Sequence, residues 1–301
     1  MTRSYKAHLA VLTANIIYGA NYSIAKEVMP SYIKPFGFIV IRVCVAAILF
    51  FVAAKLFFRE KIHKSDWPRL ITCAVFGVAV NQLLFFKGLS LTSPINAGLM
   101  MVTNPIFVLG LSVMFLGEVI NLNRIIGIIC GISGAVVLII YGNRFSSVPS
   151  DPFGDLCILL NSLSYAMYII LVLPLMKKYH PITIMQIVFA LGSLLVFPFG
   201  WEEFKSIEWN SFPTNTWWSV LFVVIGTTFF AYLLNTLALR ELSAGVVSVY
   251  IYLQPLMAAG FAMLFGKDVP NVLHLIAALL IFIGVWLTTK SVVKKQSNFN
   301  S

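Results

Sequence analysis

The stretch NPIFVLGLSVMFLGE at residues 104–118 returns late in the chain as QPLMAAGFAMLFGKD at residues 254–268. Each opens on an amide side chain and a proline, runs on apolar, and closes on a glycine and an acid. Pro105 and Pro255 stand 150 positions apart, as do Glu118 and Asp268, Gly134 and Gly284, and Ser93 and Ser243. Nearer the N-terminus the offset drifts: Tyr18 matches Tyr165 at 147 and Pro35 matches Pro181 at 146. The chain reads as two copies of one unit.

Composition says where that unit lives. Of 301 residues, 59% are apolar and 11% charged, whereas a soluble domain carries roughly 25% charged residues. A spanning helix needs about 20 apolar residues to cross roughly 30 Å of hydrocarbon. Segments of that kind fall at 9–28, 36–58, 67–90, 94–116, 121–141, 153–176, 181–200, 216–239, 243–266 and 270–290. The expected fold is therefore an all-α integral membrane protein of ten transmembrane helices, five in each copy. Because five is odd, the second copy enters the membrane from the opposite side, so the repeats are inverted. Repeat one is placed at 1–141, a Gly-, Pro- and Ser-rich linker at 142–153, repeat two at 154–290 and a cytoplasmic tail at 291–301. The loop at 201–215, with Trp201 and Trp209, reads as an interface anchor.

The net charge of +10 is not a nucleic-acid footprint, because the basic residues sit in short loops and at the ends. With the N-terminus in the cytoplasm, fourteen of the 21 Lys and Arg residues fall inside and five outside, leaving Arg42 and Lys87 within helices. The positive-inside bias puts both termini in the cytoplasm. The N-terminal run contains Asn15 and Asn21, lacks a clear A-x-A site and has a mid-chain relative, so it reads as a retained first helix rather than a signal peptide. Cys44, Cys73, Cys130 and Cys157 form no CxxC and read as small packing residues.

The segment Asn-Ile-Ile-Tyr-Gly-Ala-Asn at 15–21, the proline phrase at 104–118 ending Leu-Gly-Glu, and the glycines Gly127 and Gly134 after it carry a resemblance. The chain resembles the EamA family of the drug/metabolite transporter superfamily over residues 9–290. It departs at Tyr18, where the family often has Trp, and at Gly-Lys-Asp in the second copy. The resemblance implies a cytoplasmic-membrane carrier of small organic solutes, often an exporter of amino acids or metabolites. It also implies a cavity between the halves and no metal or organic cofactor.

The residues suggest where such a cavity lies. Asn161, Tyr165 and Tyr168 recur at i, i+4 and i+7 and share one face of the sixth helix. The matching first-helix set is Asn15, Tyr18 and Asn21. Asn81, Gln82, Asn104, Tyr232, Tyr250 and Gln254 extend the substrate-binding set. These amides and phenols line a cavity or, alternatively, bond helix to helix. Pro105 and Pro255 each remove a backbone hydrogen bond inside a helix, as a hinge or as a static kink. Arg42 and Lys87 either snorkel outward or confer charge selectivity by attracting a carboxylate to an outer vestibule. Glu118 and Asp268 read as ordering tight loops, and the absence of an acid near the centre of any helix tilts towards facilitated transport or exchange.

An intramembrane enzyme is the competing class. Gly131-Ile132-Ser133-Gly134 spells a GxSG, but His274, near the outer end of the last helix, is the only histidine inside a later helix, and the mid-membrane serine needs a base within reach. A non-transporting receptor or scaffold is a third class. Two mirrored gates serve a carrier working by alternating access and have no evident use in one-sided catalysis. The expectation is a transporter with a small-molecule substrate and lipid as partners, monomeric or homodimeric, without nucleic acid or catalytic residues.

Overall fold

The structure is a computed structural model and describes residues 3–58, 60–117, 122–145, 151–242, 246–247, 250–266 and 269–297. Glu118, Asp268 and Ser243 lie outside the described residues, as do 146–150 of the linker and 298–301 of the tail.

Regular structure among these residues is helical. Helix α1 is Arg3–Val28 and α2 is Pro35–Phe57. The third rod is α3, Trp67–Ala74, a π-helical turn at Val75–Ala79 and α4, Val80–Leu91. The fourth is α5, Pro94–Met101, and α6, Asn104–Leu116. Then follow α7, Leu122–Phe145, α8, Pro152–Met176, and α9, Pro181–Lys205. The next rod is α10, Thr214–Leu221, a π segment at Phe222–Ala231 and α11, Tyr232–Glu241. A 3-10 turn at Tyr250–Tyr252 leads into α12, Leu253–Leu264, and α13 is Val272–Ser297.

Six stretches among the described residues are long and apolar enough to cross a membrane: Pro35–Phe57, Lys64–Leu91, Pro94–Phe115, Pro152–Met176, Pro181–Lys205 and Thr214–Glu241. Shorter apolar helices occur at Ile125–Gly134, Tyr250–Leu264 and Val272–Gly284. The chain is thus an all-α, multi-pass membrane protein. Its outer surface agrees with that solvent: Leu56, Leu194, Trp218 and Leu264 are 70%, 71%, 68% and 80% exposed, a display of apolar side chains that suits contact with lipid. Asn15, Asn21, Arg42, Asn81 and Asn161 are turned inward instead.

Several boundaries differ from the periodicity reading. α9 runs on to Lys205, so Trp201 is helical and only Trp209 sits in the following loop. α13 continues through the basic residues after 290 to Ser297. The fourth segment is not one helix: it breaks at Val102 and Thr103. Pro105 is therefore not deep inside a helix but in the first turn of α6, where its missing N–H has no intrahelical partner to lose. Pro255 stands equally early in α12, three residues past the 3-10 turn. The chain accommodates both prolines by restarting the helix.

The two halves pack by matched contacts. α2 lies along α9, α7 along α13, α4 along α8, and α1 along α11 and α12. At the first of these, the Glu203 carboxylate near the end of α9 accepts from the N–H groups of Phe36 and Gly37 at the start of α2, at 2.7 and 3.0 Å. The start of one helix meets the end of the other, so α2 and α9 run antiparallel. α7 and α13 also run antiparallel, and only glycine permits their approach: a Cβ on Gly284 would stand 2.5 Å from the Gly127 carbonyl oxygen, and one on Gly134 would stand 2.9 Å from that of Ala277. The glycines closing the repeated phrase have a separate task. Gly117 and Gly266 adopt φ of 67° and 60°, the left-handed conformation that ends a helix and that side-chain-bearing residues avoid.

Candidate functional site

A cavity of about 600 Å³, counting its mouth, opens between the halves. Its wall takes Asn15, Tyr18, Asn21 and Tyr22 from α1, Arg42 from α2, Asn81, Gln82 and Phe85 from α4, and Met101 from α5. The second half supplies Asn161 and Tyr165 from α8, Thr227, Tyr232 and Asn235 from the eighth rod, and Val247, Ile251 and Gln254. Among the described residues no Asp or Glu lines it.

Amides and phenols knit this wall together. Tyr22 Oη donates to Gln254 Oε1 at 2.7 Å, and Gln254 Nε2 donates to Asn15 Oδ1 at 2.7 Å. Gln82 Nε2 donates to Tyr232 Oη at 2.7 Å, which donates to Asn81 Oδ1 at 3.0 Å. Asn161 Nδ2 donates to the Asn81 carbonyl at 2.7 Å. Thr227 Oγ1 donates to Asn21 Oδ1 at 3.1 Å, and the Asn235 amide donates to Tyr165 Oη. Nearly every one of these bonds joins one half of the chain to the other. In a medium without water an unmet polar group costs several kcal/mol, so the bonds among these members stabilise the wall.

The π-helical segments serve the same wall. A π turn bonds i to i+5 and leaves carbonyls for outside partners. Ser164 Oγ donates to the Phe76 carbonyl at 2.7 Å, and Tyr232 Oη approaches that of Gly77 at 3.4 Å. In the other half, Thr228 Oγ1 donates back to the Val223 carbonyl at 3.0 Å. Both π segments lie directly before cavity residues: Asn81 and Gln82 in one half, Tyr232 and Asn235 in the other.

Arg42 does not reach the lipid-facing surface. It is 2% exposed and belongs to the cavity wall. Its Nε donates to Thr228 Oγ1 at 2.7 Å, and its guanidinium carbon stands 4.0 Å from the centre of the Phe86 ring. The snorkelling alternative fails because the side chain points into the bundle.

Of the residues singled out from sequence, Asn15, Tyr18, Asn21, Arg42, Asn81, Gln82, Asn161, Tyr165, Tyr232 and Gln254 meet at this cavity. Asn104, Tyr168, Tyr250 and Lys87 do not line it. Asn104 Nδ2 donates to the Ser162 carbonyl at 2.8 Å, tying α6 to α8. Tyr168 lies a turn beyond Tyr165, with its ring over Gly77. Tyr250 Oη bonds His8 Nδ1 at 2.8 Å. Lys87 is half-buried on α4. Pro105 and Pro255 set the helix restarts beside Asn104 and Gln254. Sequence reasoning missed Tyr22, Phe85, Met101, Thr227, Asn235, Val247 and Ile251. Tyr22 continues the face of Tyr18 at i+4, and Asn235 that of Tyr232 at i+3, so those two were findable. The others are ordinary apolar or hydroxyl side chains, and nothing in the sequence distinguishes them.

Two polar clusters lie towards opposite ends of the bundle. At one end Asp155, 1% exposed, accepts from Thr92, with the Asn96 amide 3.4 Å from its Oδ2. His274 Nε2 pairs with Asn96 Oδ1 at 2.8 Å, and Lys26 Nζ donates to the backbone carbonyls of Leu89 at 3.0 Å and of Thr92. At the other end, Asp66 accepts from Lys178 at 2.8 Å and from Tyr179 at 2.7 Å, and His8 holds Tyr250. Asp155 and His8 occupy equivalent positions of the two copies, 147 apart. The GxSG serine has no such company: Ser133 faces outward on α7, while the His274 ring is held by Asn96 and by the Asn271 N–H at 3.1 Å. The four cysteines are free, and no metal-binding cluster occurs among the described residues.

The model of the EamA-like transporter family matches residues 5–140 and 152–290. An uncharacterized transporter of Archaeoglobus fulgidus is 27% identical over 288 residues, 94% of this chain and 97% of that one. The uncharacterized transporter YyaM of Bacillus subtilis is 25% identical over 292 residues, 95% and 94% of the two chains. A crystal structure of a further protein shares the fold with a TM-score of 0.64 at 17% identity, over 94% of this chain and 96% of that one.

Proposed function

The chain belongs to the EamA-like transporter family and is a secondary transporter of small solutes across the membrane; we propose that it works by alternating access, with the central cavity as the solute site. In this reading ten spans form two inverted five-helix repeats, 1–141 and 154–290, joined by the linker 142–153. Both termini are cytoplasmic and the protein resides in the cell inner membrane. The solute is a small organic metabolite, moved outward, held by Asn15, Tyr18, Asn21, Asn81, Gln82, Asn161, Tyr165, Tyr232 and Gln254.

The observation that carries the reading is the exchange symmetry of the contacts around the cavity. Gln254 of the second copy bonds Asn15 of the first, and its counterpart Asn104 of the first bonds Ser162 of the second. Ser162 is the equivalent of Asn15 at the 147 offset. The antiparallel α2–α9 and α7–α13 pairs are what inversion requires, because a two-fold axis in the membrane plane turns a helix end over end. In this reading two polar clusters at opposite ends serve as the gates. One is the cluster of Thr92, Asn96, Asp155 and His274; the other is centred on His8 and Tyr250.

The test is solute flux into proteoliposomes loaded with a broad metabolite mixture, using the wild type and Tyr165→Ala. Wild-type vesicles should exchange at least one solute faster than protein-free vesicles, and Tyr165→Ala should slow it. Absence of flux across the whole mixture, with protein correctly inserted, would sink the proposal.

A further inference from the structure

We infer that the solute carried in this cavity bears a carboxylate, and that Arg42 is the residue that selects it. The inference rests on the cavity being the transport site.

Arg42 is among the largest fully buried side chains of the protein. Its Nε is taken by Thr228 and one face of its guanidinium by Phe86, yet Nη1 has no hydrogen-bond partner. No carboxylate lines the same cavity among the described residues. A guanidinium stays charged at every physiological pH. Burying a cation is unfavourable unless an anion and hydrogen bonds meet it. The wall provides the hydrogen bond and the ring but not the anion, so the anion comes with the solute. A guanidinium presents donors in a planar fork that a carboxylate fits with two oxygens at once.

A second group is left open in the same wall. Asn161 donates its Nδ2 to the Asn81 carbonyl, which orients the amide, and its Oδ1 has no partner. The remaining amides and phenols largely occupy one another: Tyr22 with Gln254 and Asn15, Gln82 with Tyr232 and Asn81, Asn235 with Tyr165. Among the buried groups of the wall left without a partner are thus one charged donor and one neutral acceptor, on opposite halves of the chain. That pair suits a carboxylate with a hydrogen-bond donor nearby in the same small molecule. It disfavours a simple amine, which would meet the Arg42 charge without a compensating acid.

The experiment uses the purified full chain and probes of matched shape: butyrate, 2-aminobutyrate, 2-hydroxybutyrate, butyramide and butylamine, each with its phenyl-substituted counterpart. Thermal stabilisation reads binding, and proteoliposome flux reads transport. The acids should raise the unfolding midpoint with dose, the amides and amines should not, and the 2-amino or 2-hydroxy acids should exceed the plain acid. Arg42→Gln should weaken the acids by about tenfold or more, as loss of a hydrogen bond to a charged group does. Arg42→Lys should retain part of the affinity. Amides or amines that bind the wild type as well as acids would overturn the inference, and this comparison holds even if Arg42→Gln fails to fold. Unchanged acid binding by a folded Arg42→Gln, or no response to any probe, would do the same. Flux of neutral or cationic probes alone would overturn the inference while leaving alternating access standing; flux of no solute at all would remove both.

Discussion

The side-chain amide of Gln254 donates to Asn15 Oδ1 over 2.7 Å. That single contact joins the proline junction of the second half to the polar face of the first helix. Gln254 also accepts from Tyr22, so one side chain holds two polar partners in a place without bulk water. Its strength has a consequence for stability as well as for the cavity.

Gln254→Leu would leave Asn15 Oδ1 and the Tyr22 hydroxyl unmet. Each buried unsatisfied group costs about 1–3 kcal/mol. The variant should unfold at a lower temperature in detergent than Tyr22→Phe, which removes one donor without stranding as many groups. Equal midpoints for the two variants would show that the pair adds nothing.

Helix α7 should separate from α13 when glycine is lost at their crossing. A Cβ at position 284 would stand 2.5 Å from the Gly127 carbonyl oxygen, whereas at Gly110 it would meet nothing within 4 Å. An Ala for Gly exchange in a helix otherwise gains about 0.5–1 kcal/mol. Gly110→Ala should therefore be neutral or stabilising, and Gly284→Ala destabilising. Thermal midpoints of the two purified variants decide it, and a stabilised Gly284→Ala would refute the close approach.

Asp155 ties α8 to Thr92 and Asn96 at one end of the bundle. Asp155→Asn keeps the shape but removes the charge that strengthens those bonds. If this cluster is a gate, the variant should spend more time open on that side. A cysteine at Asn81, in a background lacking the four native cysteines, would then react several-fold faster (a loss of about 1 kcal/mol from the closed state corresponds to roughly fivefold) with an impermeant reagent added from that side. An unchanged rate would make the cluster a fixed brace.

The inverted arrangement predicts where segments lie. Reporters fused at Met1 and at Ser301 should both report cytoplasm, and one inserted in the linker 142–153 should report the opposite side. Termini on opposite faces would contradict the repeat.

Much of the membrane fold was legible because the bilayer enforces a one-dimensional rule: each crossing needs its own run of apolar residues, and no contact elsewhere can substitute for it. The repeat was legible for a similar reason, since a duplicated helix keeps its prolines and glycines in register. Pro105 shows where this ended. Its neighbours are apolar on both sides, so periodicity ran one helix through it, whereas the chain restarts the helix at Asn104.

What the residues alone determined is that this chain crosses the membrane repeatedly and carries amides and phenols on chosen helical faces. Only the tertiary structure decided which of those groups share a cavity and which merely brace two helices. Tyr165 and Tyr168 stand less than a turn apart with ring centres 6.0 Å from each other, yet only Tyr165 lines the cavity, while the Tyr168 ring fills the room that Gly77 leaves. Arg42 is the sharper case. A lone basic residue near a helix end can snorkel or turn inward at similar cost, and its environment depends on Phe86 and Thr228, which are 44 and 186 positions away. Distances of that kind exist only once the helices have packed.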